Sequence, residues 1–248
     1  MITSLFSTSI FGFLTMTYFI SKFYLVDRHK ESKGLLSKLL PVVYIILIIA
    51  SQLIINIQNT KEICNGVPQI ISAMMYTVIP NFFILGLLML LLMILPGWKA
   101  PFSNTIGYFF IYMLGVNNVF NDLLKSKGSK LIDQIYNNKS IIINEITPFN
   151  FDMFLNKMKT DGLLENNFKS KPAFNELWNY IVIKDSISEF VWMCLTGALV
   201  ISMTYNALLE INCNIPVAQR KAAANKLEAE MADEEANKPK EKLFTIHD

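Results

Sequence analysis

Four acidic side chains are the chain's best candidates for catalysis. Two carboxylates that a fold brings together can act as general acid and general base. The candidates all lie in the polar stretch 122–189 and are Asp152, Asp161, Glu165 and Glu176. No motif pairs any two of them, and we interpret them as solvated side chains on helical surfaces.

The sequence shows no motif typical of a metal site or of a nucleophilic active site. The two histidines, His29 and His247, are far apart in polar stretches, which argues against a histidine metal site or a catalytic triad. The sequence has no Walker-type phosphate loop, no HExxH and no GxSxG. We therefore expect no catalytic residue, no metal and no cofactor, and we expect that the chain is not an enzyme.

Two of the cysteines are placed so that they could form a disulfide bond. Cys64 and Cys213 each follow an apolar run closely, and each precedes a proline, Pro68 or Pro216. If run 100–121 does not cross a membrane, both cysteines lie on the same side and can form a disulfide in an oxidising compartment. If that run crosses, they lie on opposite sides and both thiols stay free.

The composition indicates that membrane-spanning helices position the acidic side chains and the cysteines. The chain of 248 residues is 52% hydrophobic and 17% charged, against about a quarter charged in soluble domains. A helix of roughly 20 apolar residues can cross a bilayer. Five runs contain no Asp, Glu, Lys or Arg: 1–21, 39–60, 63–98, 100–121 and 190–209. These runs predict an all-α integral membrane protein whose main partner is the lipid bilayer. With a net charge of +2 and no basic stripe, nucleic acid is not an expected partner.

The loop after the first run predicts an orientation. Residues 22–38 include five basic and two acidic side chains. An excess of Lys and Arg in a short loop is typical of the cytoplasmic side. This places the N-terminus across the membrane from that loop.

Two of the apolar runs differ from an ordinary membrane-spanning helix, and the second of them leaves the helix count open. Pro80 should bend the third run, and Asn81 beside it is placed to satisfy the freed carbonyls. Run 100–121 is rich in aromatics but short in strongly apolar residues, so it either spans, re-enters or lies in the interface. The prediction is therefore four or five transmembrane helices.

These observations divide the chain into four parts. Residues 1–121 form a membrane domain with three firm spans and the doubtful aromatic helix, and 122–189 form a small, mostly helical extramembrane region. Residues 190–209 are the last transmembrane helix, and 210–248 are a polar tail rich in Ala, Glu and Lys.

Local patterns refine the extramembrane region and the tail. Residues 141–144 (IIIN) read as β-like, whereas one helix is expected from Pro148 to Thr160 and another from Ser170 onwards. In the tail, Leu227 and Met231 form a thin apolar stripe on a polar helix. That helix is either a docking helix for a partner or a solvated tail.

One segment has an unusual sequence of prolines, glycines and aromatics. Its residues are Pro96, Gly97, Trp98, Lys99, Ala100, Pro101, Phe102, Ser103, Asn104, Thr105, Ile106, Gly107 and Tyr108. This segment resembles a hydrophobic protein family of large icosahedral double-stranded DNA viruses, the nucleocytoplasmic large DNA viruses that include those infecting algae. The stretch 131–145 looks similar to that family as well.

The resemblance implies a minor capsid protein in the inner membrane of a virion, and in host endomembranes during assembly. Its implied partners are the bilayer, capsid or other minor capsid proteins, and further copies of itself. Such a protein would anchor the icosahedral shell to the internal membrane. Two other classes stay open from the residues alone: a small channel or solute carrier that uses Pro80 and residues 96–108, and a membrane-bound lipid-modifying enzyme.

Overall fold

The computed structural model describes residues 4–27, 34–125, 137–213, 225–226 and 228–231. Leu227 and most of the tail lie outside these residues, as do residues 131–136 of the second family-like stretch. Met231 is helical and exposed. The role of the tail as a docking helix therefore stays a prediction.

Most of the described residues are helical, and their one β-type feature is an isolated antiparallel bridge between Leu124 and Leu164. Four helical segments are long and apolar enough to cross a membrane. They are α1 (Ser4–Lys22) with a π-helical turn (Phe23–Asp27); α2 (Leu35–Ile63); α3 (Ile70–Pro80) joined by a π-helical turn (Asn81–Leu85) to α4 (Gly86–Ile94); and the long helix (Pro172–Leu209).

Short helices fill the rest of the described chain. A 3-10 turn at Pro96–Lys99 leads into Ala100–Phe102, a π-helical turn at Ser103–Gly107 and Tyr108–Met113. The others are Val116–Asn121, Lys139–Glu145, Phe151–Thr160 and a 3-10 turn at Phe168–Ser170.

The long helix belongs to two apolar cores. Its second half packs with α1, α2 and α4 through residues such as Phe11, Ile48, Leu88 and Met193. Its first half, through Leu177, packs with residues from 108–125 and 137–170 in a second core, and we call this second assembly the helical unit. At 1.5 Å per residue, the 38 residues extend about 57 Å through both cores.

A polar side chain from a second helix accommodates the proline in the third apolar run. Pro80 has no N–H to donate to the carbonyl of Tyr76 four residues earlier. Thr204 Oγ1 on the long helix donates to that carbonyl instead, over 3.0 Å. Asn81 Nδ2 donates to the neighbouring carbonyl of Thr77, over 2.8 Å. The Thr77 carbonyl also accepts from the backbone N–H of Asn81, so the carbonyl that Pro80 frees is satisfied by Thr204 on a second helix and not by Asn81 as expected.

Run 100–121 does not form a helix of membrane-spanning length. Gly115 adopts φ 96, a left-handed conformation that favours glycine, and it separates Tyr108–Met113 from Val116–Asn121. Ile111, Val116 and Phe120 are fully buried in the core of the helical unit. These residues therefore pack with the helical unit, whose core begins before residue 122.

The structure also tests the secondary structure expected for residues 141–144 and for residues 148–160. The β-like reading of 141–144 was wrong, because Lys139–Glu145 is helical and buries Ile143 in the core of the helical unit. The helix expected near Pro148 to Thr160 is confirmed as Phe151–Thr160, with Phe151, Leu155 and Met158 buried.

The two ends of the four-helix bundle differ in chemistry. At one end Cys64, just after α2, forms a disulfide with Cys213, just after the long helix. We call this the disulfide end. The helical unit lies at the other end, which we call the unit end, and Cys194 between them is a free thiol.

Candidate functional site

A cluster of charged side chains lies where the bundle meets the helical unit. Lys99 Nζ contacts Asp185 Oδ2 at 2.8 Å and Glu189 Oε1 at 2.5 Å. Lys22, at the end of α1, forms an ion pair with the other oxygen of Glu189. Asp27 lies 3.7 Å from Lys22 Nζ. We call these five residues the charge cluster.

The cluster is mostly shielded from solvent, and its members neutralise one another. Side-chain exposure is 12% for Lys99, 17% for Glu189 and 20% for Asp185. Burial alone would lower the pKa of Lys99, but the facing carboxylates of Glu189 and Asp185 outweigh it and raise that pKa above its usual value. Lys99 therefore stays charged, and it connects the turn after α4 to the long helix.

The family-like segment 96–108 packs along the long helix, and we call it the collar. Trp192 Nε1 donates to the carbonyl of Trp98 at 2.9 Å, and Ser188 Oγ donates to the carbonyl of Lys99 at 2.6 Å. The ring of Phe102 lies edge-on to Trp192, with 5.1 Å between centroids. The collar thus contacts the turns of the long helix that carry the charge cluster.

Glycine at position 107 permits the closest approach between the collar and the long helix. A Cβ atom there would lie 2.6 Å from the backbone oxygen of Lys184. Real Cβ atoms do not approach that closely, so the collar would have to move away. Ser103, one turn earlier, is also buried.

The remaining collar residues contribute less to this interface. Pro96 lines the cavity described below, and Asn104 accepts a long hydrogen bond of 3.5 Å from Asn144 Nδ2 through its backbone oxygen. The hydroxyl of Tyr108 lies 3.5 Å from Asn117 Oδ1. Pro101 is exposed, and Gly97 has open space around it.

Lys184 is a buried lysine beside the charge cluster that the sequence did not single out. Its side chain is 1% exposed, and Nζ donates to the carbonyls of Ile143 (2.9 Å) and Asn144 (3.2 Å). These carbonyls belong to the last turn of the helix Lys139–Glu145, where a cation is favourable. Lys184, Asp185 and Glu189 lie on one helix and carry no motif that would indicate their distant partners.

The four carboxylates considered for catalysis do not form one site, although two of them share a groove. Glu165 and Glu176 line one shallow polar groove of about 530 Å³, but Lys171 Nζ neutralises Glu165 at 2.6 Å. Asp152 and Asp161 are not among the groove residues. Within the described ranges, no group of three His, Cys, Asp or Glu side chains could hold a metal ion.

A larger cavity of about 670 Å³ lies beside the charge cluster. Lys22, Lys99, Asp185 and Glu189 form its charged end. Its apolar walls come mainly from α2 and α4 and include Pro41, Val42, Ile45, Met89, Leu90 and Met93. Phe149, 89% exposed, also lines it. The arrangement suits a molecule with one polar end and one apolar end.

No protein-family profile matches this chain, and no curated protein or solved structure is significantly similar to it.

Replacing Glu189 tests whether the cluster couples the bundle to the helical unit. Glu189→Gln leaves Lys22 and Lys99 without their shared carboxylate. Loss of one partner from a buried ion pair costs about 3 kcal/mol, and we expect the free energy of unfolding of the purified protein in detergent to fall by that amount. The matched control is Glu210→Gln at the exposed end of the same helix. Equal losses in the two variants would contradict a structural role for the cluster.

Proposed function

We propose that this chain is a structural virion membrane protein, a minor capsid protein that anchors an icosahedral capsid shell to an internal lipid membrane. The resemblance of residues 96–108 supports the viral assignment. The continuous long helix supports the anchoring role, because it connects a bundle of four candidate spans to a packed helical unit without a flexible joint. That continuity is the observation on which the proposal chiefly depends.

The helical unit presents an apolar surface on which a capsid protein would dock. Phe109, Phe110, Tyr112, Met113 and Leu114 are about half exposed or more. They surround Ile111, which is fully buried against the unit's core. Contiguous exposed apolar residues on a folded unit are typical of protein interaction sites.

The proposal also assigns an orientation. The described ends of the basic stretch 22–38 lie at the unit end, where Lys22 contacts Glu189 and Ser37 lines the cavity, and a basic loop is typical of the cytoplasmic side. The Cys64–Cys213 disulfide is at the opposite end, and disulfides persist in oxidising compartments. Both features support a helical unit in the cytoplasm and a disulfide in the lumen, as a protein inserted in a host endomembrane would have.

Cysteine labelling tests this orientation. In sealed microsomes with the cytoplasmic face outward, a membrane-impermeant maleimide should modify Thr160→Cys in the helical unit directly. It should modify Met231→Cys in the tail only after permeabilisation, because an even number of spans puts the tail in the lumen. Labelling of Met231→Cys in sealed vesicles, with Thr160→Cys protected, would reverse the orientation.

Quantitative mass spectrometry and cross-linking of purified particles test the anchoring role. We expect many copies per particle, in a fixed ratio to the major capsid protein. A photo-reactive residue at Phe109 should cross-link to a capsid protein, whereas one at the exposed control position Lys157 should not. A handful of copies per particle, or equal cross-linking from both positions, would contradict the proposal and favour a carrier or an enzyme.

A further inference from the structure

The cavity beside the charge cluster opens towards the outside of the bundle. Its wall residues Val42 and Leu90 are 52% and 51% exposed, and Met93 is 78% exposed. α2 packs mainly on α1 and α3, which leaves a space between α2 and α4 at the unit end. In a bilayer, this opening would face lipid.

The length of the cavity along α2 is close to the thickness of one leaflet's hydrocarbon layer. Its wall on α2 extends from Ser37 to Ile45, and the eight steps of 1.5 Å between these residues cover about 12 Å along the helix. Half of a hydrocarbon core is about 15 Å thick. The volume of about 670 Å³ lies within the usual range of small-molecule cavities, roughly 300–1,000 Å³.

The charged end of the cavity favours a head group with charges of both signs. It combines two ammonium groups, Lys22 and Lys99, with the carboxylates of Asp185 and Glu189. These four groups already pair with one another, so an anionic or a cationic head group would add one charge without a partner. A zwitterion adds no net charge, and it can place its phosphate near the lysines and its amine near the carboxylates.

The carboxylates also discriminate between amines. A primary ammonium group donates up to three hydrogen bonds, and such bonds to a carboxylate are charge-assisted. A quaternary amine has no N–H to donate.

From this geometry we propose that the cavity binds one glycerophospholipid with a primary-amine zwitterionic head group. The head group contacts the charge cluster, and an acyl chain lies between α2 and α4. This site does not depend on the capsid role, because it follows from the cavity and the cluster alone.

Native mass spectrometry of the full-length protein from nanodiscs tests the proposal. The nanodiscs contain phosphatidylethanolamine, phosphatidylcholine and phosphatidylglycerol with identical acyl chains. We expect the wild type to retain one phosphatidylethanolamine, with a roughly tenfold preference over each of the other two lipids. Equal retention of the three lipids would overturn the proposal, and this comparison needs no variant.

Two substitutions locate the bound lipid. Met93→Trp fills the cavity and should abolish retention, whereas Met75→Trp, on an exposed face of α3 away from the cavity, should retain the lipid as the wild type does. Asp185→Asn should reduce the preference for the primary amine. Formation of the Cys64–Cys213 disulfide confirms that each variant has folded. Retention by Met93→Trp equal to that by Met75→Trp would contradict the assignment.

Soluble glycerophosphoethanolamine separates lipid binding from binding of the head group alone. This compound has the same phosphate and amine but no acyl chain. We expect that it does not displace the retained lipid at millimolar concentration. Complete displacement would show that the apolar walls contribute nothing and would overturn the proposed lipid site.

Discussion

The structure depends on the long helix, Pro172–Leu209, which has three charged residues at the point where it passes from one apolar core to the other. Lys184, Asp185 and Glu189 lie in the middle of Pro172–Leu209, with the core of the helical unit on one side and the core of the bundle on the other. A buried charge is costly unless it is paired and hydrogen-bonded. The contacts around these three residues therefore determine how the rest of the chain is arranged.

Each of the three charges is satisfied by a segment distant in sequence. Lys184 binds the carbonyls at the end of Lys139–Glu145, Asp185 binds Lys99, and Glu189 binds both Lys99 and Lys22. Buried ion pairs add little net stability compared with apolar packing, but removing one partner is expensive. We infer that the charge cluster mainly fixes the register between the long helix, the collar and α1.

The sequence predicts the parts of this fold that depend on local patterns. Four of the five charge-free runs correspond to helices of membrane-spanning length, and the apolar spacing in 151–158 correctly indicates a helix. The sequence left run 100–121 open, because charge-free residues also suit its observed role of covering the long helix and filling the core of the helical unit. Charges were misleading in the opposite way, since Asp185 and Glu189 precede the apolar run 190–209 and yet lie inside the same helix, Pro172–Leu209. Their pairing with Lys22 and Lys99 spans too much sequence for any local pattern to reveal.

The central claim is that the charge cluster holds the bundle and the helical unit as one rigid body. Pulsed electron paramagnetic resonance can measure the distance between spin labels at Thr160→Cys in the helical unit and Met75→Cys in α3, with Cys194 replaced by serine. The account predicts one narrow distance distribution when Glu189 is present and a broadened one in Glu189→Gln. A broad distribution with Glu189 present, or no change on its replacement, would contradict the account.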